Sequence, residues 1–212
     1  MVAPDNINKF FDLLNHNRMK YVLIKNDGNM IPNCVPDGND IDILIHPSDY
    51  DRLIEIASVN GYERLPGESF KYFFLYKLRP DIYLHKEGAF FHAYEKIACT
   101  SLTNMGKSKI PLDSAIQQYI WNNRVWNEKC QWWQANEITV LIALIVRAIF
   151  DKKKFREIYI AEITKRKDLL DEPKFEELCE YIFFKYTKRL IILLKQKKYD
   201  SILLDYQHFH EY

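Results

Sequence analysis

Gly38-Asn39-Asp40-Ile41-Asp42-Ile43-Leu44-Ile45 sets both the fold and the chemistry expected of this chain. Polar and branched apolar residues alternate through it, as on a strand, where side chains two apart share a face. Asp40 and Asp42 therefore project together while Ile41, Ile43 and Ile45 pack behind them. Two carboxylates side by side repel one another, and one must take up a proton unless a divalent cation neutralises the pair. Hard oxygen donors suit Mg²⁺ or Mn²⁺, ions that keep waters and bind substrate phosphates. The pair thus points to phosphate chemistry.

Working outward, Tyr21 to Ile24 reads as a preceding strand that ends in the turn-forming Lys25-Asn26-Asp27-Gly28. Pro32, Pro36 and Gly38 make residues 29–39 an exposed loop between the two strands. Ile7, Phe10, Phe11, Leu13 and Leu14 recur at helical spacing behind an Asp5/Asn6 cap, which predicts a helix from Asn6 to Asn17. A second helix is expected from Pro47 to Asn60, with Gly61 as its stop. Strands are expected at Lys71 to Leu78 and Asp81 to His85, joined at Arg79-Pro80 and continuing through Ala89 to His92. Beyond about residue 112 helical patterns dominate: Ser114 to Asn123, Ala135 to Asp151, Phe155 to Lys165 and Lys174 to Lys195. The boundary is placed in the stretch from Thr103 to Pro111, giving an α/β domain over 1–110 and a helical subdomain over 111–212.

Composition narrows the class. With 212 residues, 48% hydrophobic and 28% charged, the chain has a globular balance with room for one generous domain or two small ones. A net charge of +1 excludes an overall field of the kind that coats nucleic acid, so no nucleic-acid partner is expected. Charge is local instead. Six acids face a single Arg52 between Asp37 and Glu55, whereas fifteen bases outnumber nine acids between Arg147 and Lys198. Cys34, Cys99, Cys130 and Cys179 form no C-x-x-C pair and are expected to be reduced. The N-terminal residues show no signal-peptide pattern, and the apolar run Val140 to Ile149, interrupted by Arg147, falls short of the ~20 residues of a membrane span. A cytoplasmic protein without a membrane span is expected.

A third acid, Asp81, opens Pro80-Asp81-Ile82-Tyr83-Leu84-His85, and the three carboxylates can meet if their strands are neighbours. Two-metal sites use such a trio. The run Val22-Leu23-Ile24-Lys25-Asn26-Asp27, then Asp40-Ile41-Asp42, then Asp81-Ile82-Tyr83-Leu84-His85 resembles the nucleotidyltransferase fold of polymerase beta and the bacterial aminoglycoside nucleotidyltransferases. The likeness is nearest to uncharacterised bacterial members with an Asp-Leu-His third strand. Twelve residues separate Asp27 from Asp40, within that family's usual range, and Asn26 and Asp27 stand where the family has its Gly-Ser turn.

The resemblance implies an α+β fold: an N-terminal nucleotidyltransferase-type mixed sheet with flanking helices, followed by a C-terminal helical subdomain. It implies an enzyme that moves a nucleoside monophosphate from a triphosphate such as ATP to a hydroxyl or phosphate on a small molecule, sugar or protein. Asp40, Asp42 and Asp81 are the implied metal-binding and catalytic residues, with Mg²⁺ or Mn²⁺ as cofactor and Asp81 drawing the acceptor proton. The turn at Asn26, Asp27 and Gly28 is the implied nucleotide contact, joined by Asn39; Lys25, at its strand end, is expected to reach a phosphate, and His85, two strand steps from Asp81 on the same face, to contact substrate.

A looser likeness links Ile31-Pro32 to the LicD and fukutin-related transferases, which move phosphocholine or phosphosugar groups from a cytidine diphosphate donor to glycans. Asp40 lies eight residues beyond Pro32, whereas the acids of that group follow the proline almost directly. A binding relic of the fold, without turnover, is the third alternative. Trp121, Trp126, Trp132 and Trp133 read as glue between the halves, and His208 and His210 as tail residues. Gly106-Lys107-Ser108 is no phosphate-binding loop, because Ser101 stands where that motif needs a glycine.

Overall fold

A computed structural model describes residues 3–25, 31–33, 35, 39–66, 76, 78–100 and 109–208. The expected strand from Lys71 to Leu78 and the boundary stretch from Thr103 fall largely outside these residues, as do Asn26, Asp27, Gly28, Cys34, Gly106-Lys107-Ser108 and His210. The fold is α+β, a mixed sheet with flanking helices and a helical C-terminal region. Two compact units share the chain: Met1–Ile97 with Asn123–Ala135, and Ala98–Asn122 with Asn136–Tyr212. The segment Asn123–Ala135 thus returns to the first unit after the chain has left it.

In the first unit, helix α1 (Pro4–His16) precedes strands β1 (Tyr21–Leu23) and β2 (Asp40–Ile45). A 3₁₀ turn, Pro47–Asp49, then leads into helix α2 (Tyr50–Val59). Strands β3 (Glu63–Leu65), β4 (Ile82–Lys86) and β5 (Ala89–Tyr94) follow. The late hairpin of β8 (Val125–Asn127) and β9 (Trp132–Gln134) completes the sheet, after β6 (Ala98–Thr100) and β7 (Lys109–Pro111) have formed a separate pair. Among the described residues the sheet order is β3-β4-β5-β2-β1-β9-β8. Strand β2 lies at its centre, antiparallel to β1 and parallel to β5. Strand β5 turns back from β4 through Glu87 and Gly88, both at positive φ, the combination a tight hairpin of this hand requires.

Alternation decides which face is core. Ile41, Ile43 and Ile45 of β2, Phe91 and Ala93 of β5, and Ile82 and Leu84 of β4 join Ile7, Phe10, Phe11 and Leu14 of α1 and Tyr50, Leu53 and Ala57 of α2 in one apolar cluster. Phe10 stacks on Phe91 at 3.9 Å between ring centroids, tying α1 to the sheet. Trp132, fully buried, packs 4.7 Å from Phe11 within this same core. The opposite face of β2 carries Asp40 and Asp42.

Local departures from the sequence expectation have local causes. Helix α1 starts at Pro4, not Asn6, and no side chain caps it; proline at the first position supplies the preset φ instead. Helix α2 is preceded by the 3₁₀ turn, whose Asp49 carboxylate accepts a hydrogen bond from the Lys20 N–H at 2.9 Å, and Gly61, at φ +76°, takes the chain out of the helix. Strand β3 was not expected, its three residues offering too short a pattern.

The second unit holds the antiparallel β6–β7 pair and six α-helices among the described residues: α3 (Ser114–Asn122), α4 (Glu137–Val146), α5 (Glu157–Lys165), α6 (Pro173–Phe183), α7 (Thr187–Lys195) and α8 (Tyr199–His208). The Asn136 side chain caps α4 by accepting from the Thr139 N–H at 2.9 Å, and α4 runs on into a π-helical turn, Arg147–Asp151. The single helix expected from Lys174 to Lys195 is two, because Phe184 takes φ 48°, ψ −131°, outside any helical conformation. No helix among the described residues is long and apolar enough to cross a membrane.

Candidate functional site

Three strands bring the chemistry together on the sheet face opposite α1 and α2. Along the β2–β5 ladder Asp42 pairs with His92 and Asp40 with Phe90. Along the β5–β4 ladder His92 pairs with Tyr83, and Phe90 with His85. Directly opposed residues share a face, so Asp42, His92 and Tyr83 form one row across the sheet, and Asp40, Phe90 and His85 the next. Asp81, immediately before β4, completes the group from the side.

His92 is the hub. Its Nδ1 lies 3.1 Å from Asp42 Oδ1 and 3.6 Å from Asp40 Oδ2, and its Nε2 lies 2.8 Å from Asp81 Oδ2. The ring is held flat: Tyr83 stacks on it at 4.5 Å and 6° between planes, and Tyr94 meets it edge-on at 5.0 Å. Burial disfavours the charged ring, but hydrogen bonds and Coulombic attraction from Asp42 and Asp81 outweigh it and push His92 up to about 9. Three carboxylates surround one imidazole. Asp42, Asp81 and His92 are 10%, 13% and 14% exposed, whereas Asp40 is 46% exposed, so the cluster opens to solvent at Asp40.

The turn that delivers Asp81 is anchored on both sides. The Tyr50 hydroxyl donates to the Pro80 carbonyl. The Arg79 N–H donates to Glu95 Oε1 at 3.1 Å, while its guanidinium reaches Asp51 at 3.1 Å and lies over the Tyr50 ring at 4.9 Å. Glu95, buried, accepts from the Arg79 N–H and lies 3.7 Å from the same residue's Nε. Strand sequence fixes the other two acids: the Ile41, Ile43 and Ile45 side chains point into the core and leave Asp40 and Asp42 on the open face.

The donor set fits a divalent ion. Asp40, Asp42 and His92 each offer one ligand atom, all within 4.8 Å of one another. Ligands bound at about 2.1 Å lie about 3.0–3.4 Å apart at octahedral to tetrahedral angles, close to the separations around Nδ1. Asp81 does not belong to this group of three; it meets the same ring at the opposite nitrogen.

Of the other residues singled out in the sequence, Asn39 is exposed directly before Asp40, and Lys25 is half-buried one residue beyond Ile24, whose N–H donates to the Asp42 carbonyl at 3.1 Å. Asn26, Asp27 and Gly28 lie outside the described residues. His85 shares the face but sits in the Asp40–Phe90 row at β4, stacked on Phe90 at 4.4 Å with Nδ1 3.8 Å from Glu63. Two strand spacings, about 10 Å, separate it from Asp40. His92 itself was missed. Its signal was present in Ala89-Phe90-Phe91-His92-Ala93-Tyr94, where a histidine occupies the polar phase of an alternating strand, but the pairing of that strand with β2 is not written in the pattern.

No protein-family model and no curated protein sequence matches the chain. Among solved structures it is similar to the solution structure of the antibiotic-resistance factor ANT(2'')-Ia, at 8% identity over 98% of this chain and 97% of that one, with a TM-score of 0.47. It is also similar to the lincosamide antibiotic adenylyltransferase LnuA bound to lincomycin, at 13% identity over 66% of this chain and 85% of that one, with a TM-score of 0.40.

Proposed function

We propose that this protein transfers a nucleoside monophosphate from a nucleoside triphosphate to a hydroxyl or phosphate acceptor on a small molecule, sugar or protein. The observation that carries the reading is the meeting of Asp40, Asp42 and His92 at an open strand end, with Asp81 on the far side of the same ring. The strand–turn–Asp-x-Asp pattern that resembles the nucleotidyltransferases supplies the class of reaction.

Asp40 and Asp42 would hold a divalent ion, Mg²⁺ or Mn²⁺. Bound there, the ion supplies neutralisation of the donor phosphates and of the charge on the departing pyrophosphate. The protein's own groups position and move a proton. Asp40, at the exposed rim, presents the charge that a cation-loaded triphosphate meets first. Lys25 adds positive charge for the phosphates, with Asn26, Asp27, Gly28 and Asn39 as the polar contacts expected from their places in the sequence. The acceptor oxygen forms its bond to the α-phosphorus as the bond to the β-phosphate oxygen breaks. That electron pair departs with pyrophosphate, and the acceptor's proton passes to Asp81. His85 is the substrate contact farther along the same face. Rate enhancement would come from alignment and charge compensation rather than from a covalent intermediate.

Calorimetry with a panel of nucleoside triphosphates, with and without Mg²⁺, tests the proposal. Binding should require the divalent ion and weaken at least tenfold in Asp40→Asn and Asp42→Asn. Variants that bind Mg²⁺-nucleotide as tightly as the parent would remove the support. A preference for a cytidine diphosphate donor over every triphosphate would redirect the reading to phospho-group transfer onto a glycan.

A further inference from the structure

We infer that His92 is itself a ligand of the divalent ion, through Nδ1, and that Asp81, besides the proton-accepting role proposed above, positions the ring for that task through Oδ2. The inference rests on the metal-binding role proposed for Asp40 and Asp42 and deepens it.

The argument starts at the far nitrogen. A carboxylate only accepts, so Asp81 Oδ2 at 2.8 Å places a proton on Nε2. Nδ1 then faces Asp42 Oδ1 at 3.1 Å and Asp40 Oδ2 at 3.6 Å, two further acceptors. A neutral ring would aim a lone pair at both carboxylates, an arrangement that is unfavourable unless something positive lies between them. A divalent ion between Nδ1 and the two carboxylates satisfies all three donors at once. The ring is also fixed in direction: Tyr83 covers its face and Tyr94 its edge, so Nδ1 is aimed at the acid pair before any ion arrives. A carboxylate behind a histidine, holding its second N–H and setting its tautomer, is the arrangement by which proteins orient metal-binding imidazoles.

The consequence is selectivity. Mg²⁺ takes oxygen donors in strict octahedral geometry, whereas an imidazole nitrogen beside two carboxylates favours Mn²⁺, Co²⁺ or Zn²⁺. The site is therefore assigned to an ion that accepts nitrogen, with Mg²⁺ the weaker occupant.

The test is metal binding by the full chain without nucleotide, using Mn²⁺, Co²⁺ and Mg²⁺, together with pulsed electron paramagnetic resonance of the Mn²⁺ form. The parent is expected to bind Mn²⁺ at least tenfold more tightly than Mg²⁺ and to show a ¹⁴N coupling from a directly bound nitrogen. His92→Gln should lose that coupling and the preference while keeping Mg²⁺ binding through the acids. Asp81→Ala should keep Mg²⁺ binding but weaken Mn²⁺ by roughly tenfold or more, the usual effect of removing a carboxylate behind a metal-bound histidine. Mn²⁺ bound with no nitrogen coupling in the parent, and lost in Asp42→Asn, would overturn this inference and leave the proposed function standing. Failure of the parent to bind any divalent ion would overturn both. The nitrogen coupling is read on the unmodified chain, so the outcome does not depend on any variant folding.

Discussion

Two buried ionic clusters, one in each unit, show how differently the same ingredients can be used. In the helical unit Arg166 lies 2.5 Å from Glu162 and 2.6 Å from Glu137, with Arg166 and Glu162 9% and 10% exposed. In the sheet unit His92 lies between Asp42 and Asp81 at similar burial. The first centre is an arginine, permanently charged, with several donors matched to carboxylate oxygens. The second is an imidazole, which has only two nitrogens and meets three acids. In the first cluster Arg166 Nε meets Glu137 as a charge contact and not as a hydrogen bond. The second opens to solvent at Asp40, where two carboxylates and an imidazole nitrogen lie within 4.8 Å of one another, as a cation-dependent site requires.

This contrast separates the two clusters under mutation. Arg166→Met should be the most damaging change to stability, about 3 kcal/mol, because it strands Glu162 in a buried position without its partner. Chemical denaturation would measure it, and a loss well below 1 kcal/mol would mean that the pair is hydrated and not structural. Asp40→Asn should show the opposite signature. Its side chain is nearly half exposed, and removing its charge relieves repulsion with Asp42, so stability should move by less than about 0.5 kcal/mol while divalent-ion binding weakens at least tenfold. Equal losses of stability and binding in that variant would place Asp40 in the scaffold instead.

The same two clusters mark what was legible in the sequence. Glu162 and Arg166 stand four residues apart, next-turn neighbours on a helix, so their pairing could be read from spacing alone. Strand β2 was legible for a similar reason: alternation is a local pattern, and its observed bounds, Asp40–Ile45, are those expected. Asp40 and Asp42 were therefore read as neighbours on one face, and the approach of His92 was not. His92 meets Asp42 across fifty positions of sequence, through the parallel pairing of β5 with β2, and no short-range signal encodes which strands become neighbours. Asp81 was expected to meet the other two carboxylates if their strands were neighbours; in the structure it reaches them through the His92 ring, 2.8 Å from Nε2. The helix break at Phe184 escaped for a different reason. Residues 182–185 contain neither glycine nor proline, and it is tertiary packing, with Phe183 and Tyr186 buried on either side, that accompanies the interruption.

Between the large effects and the small lies the support of Asp81. Tyr50→Phe removes the hydroxyl that donates to the Pro80 carbonyl and leaves the aromatic ring in the core. The expected cost is about 1 kcal/mol, one partly buried hydrogen bond. If the anchoring of residues 79–81 matters for the cluster, Mn²⁺ affinity should fall in the same variant although no ligand has been touched. Thermal melting and metal titration on one preparation would read both, and unchanged metal affinity would show that Arg79 and Glu95 suffice to hold the turn.

The smallest expected effect is a gain. Phe184 adopts φ 48°, ψ −131°, a region that side chains with a Cβ enter at a cost and glycine enters freely, and its ring is 61% exposed, so little apolar burial is lost if it is removed. Phe184→Gly should therefore stabilise the helical unit by about 0.5–1 kcal/mol net of the greater freedom glycine gives the unfolded chain. A loss of stability instead would mean that the exposed ring makes contacts outweighing the backbone strain. Metal affinity in that variant should match the parent, because Phe184 and Asp40 belong to separate compact units. A shift in metal affinity on removing the strain would show that the two units are energetically coupled, and the division between the arginine-centred and the histidine-centred cluster would no longer follow the division of the chain.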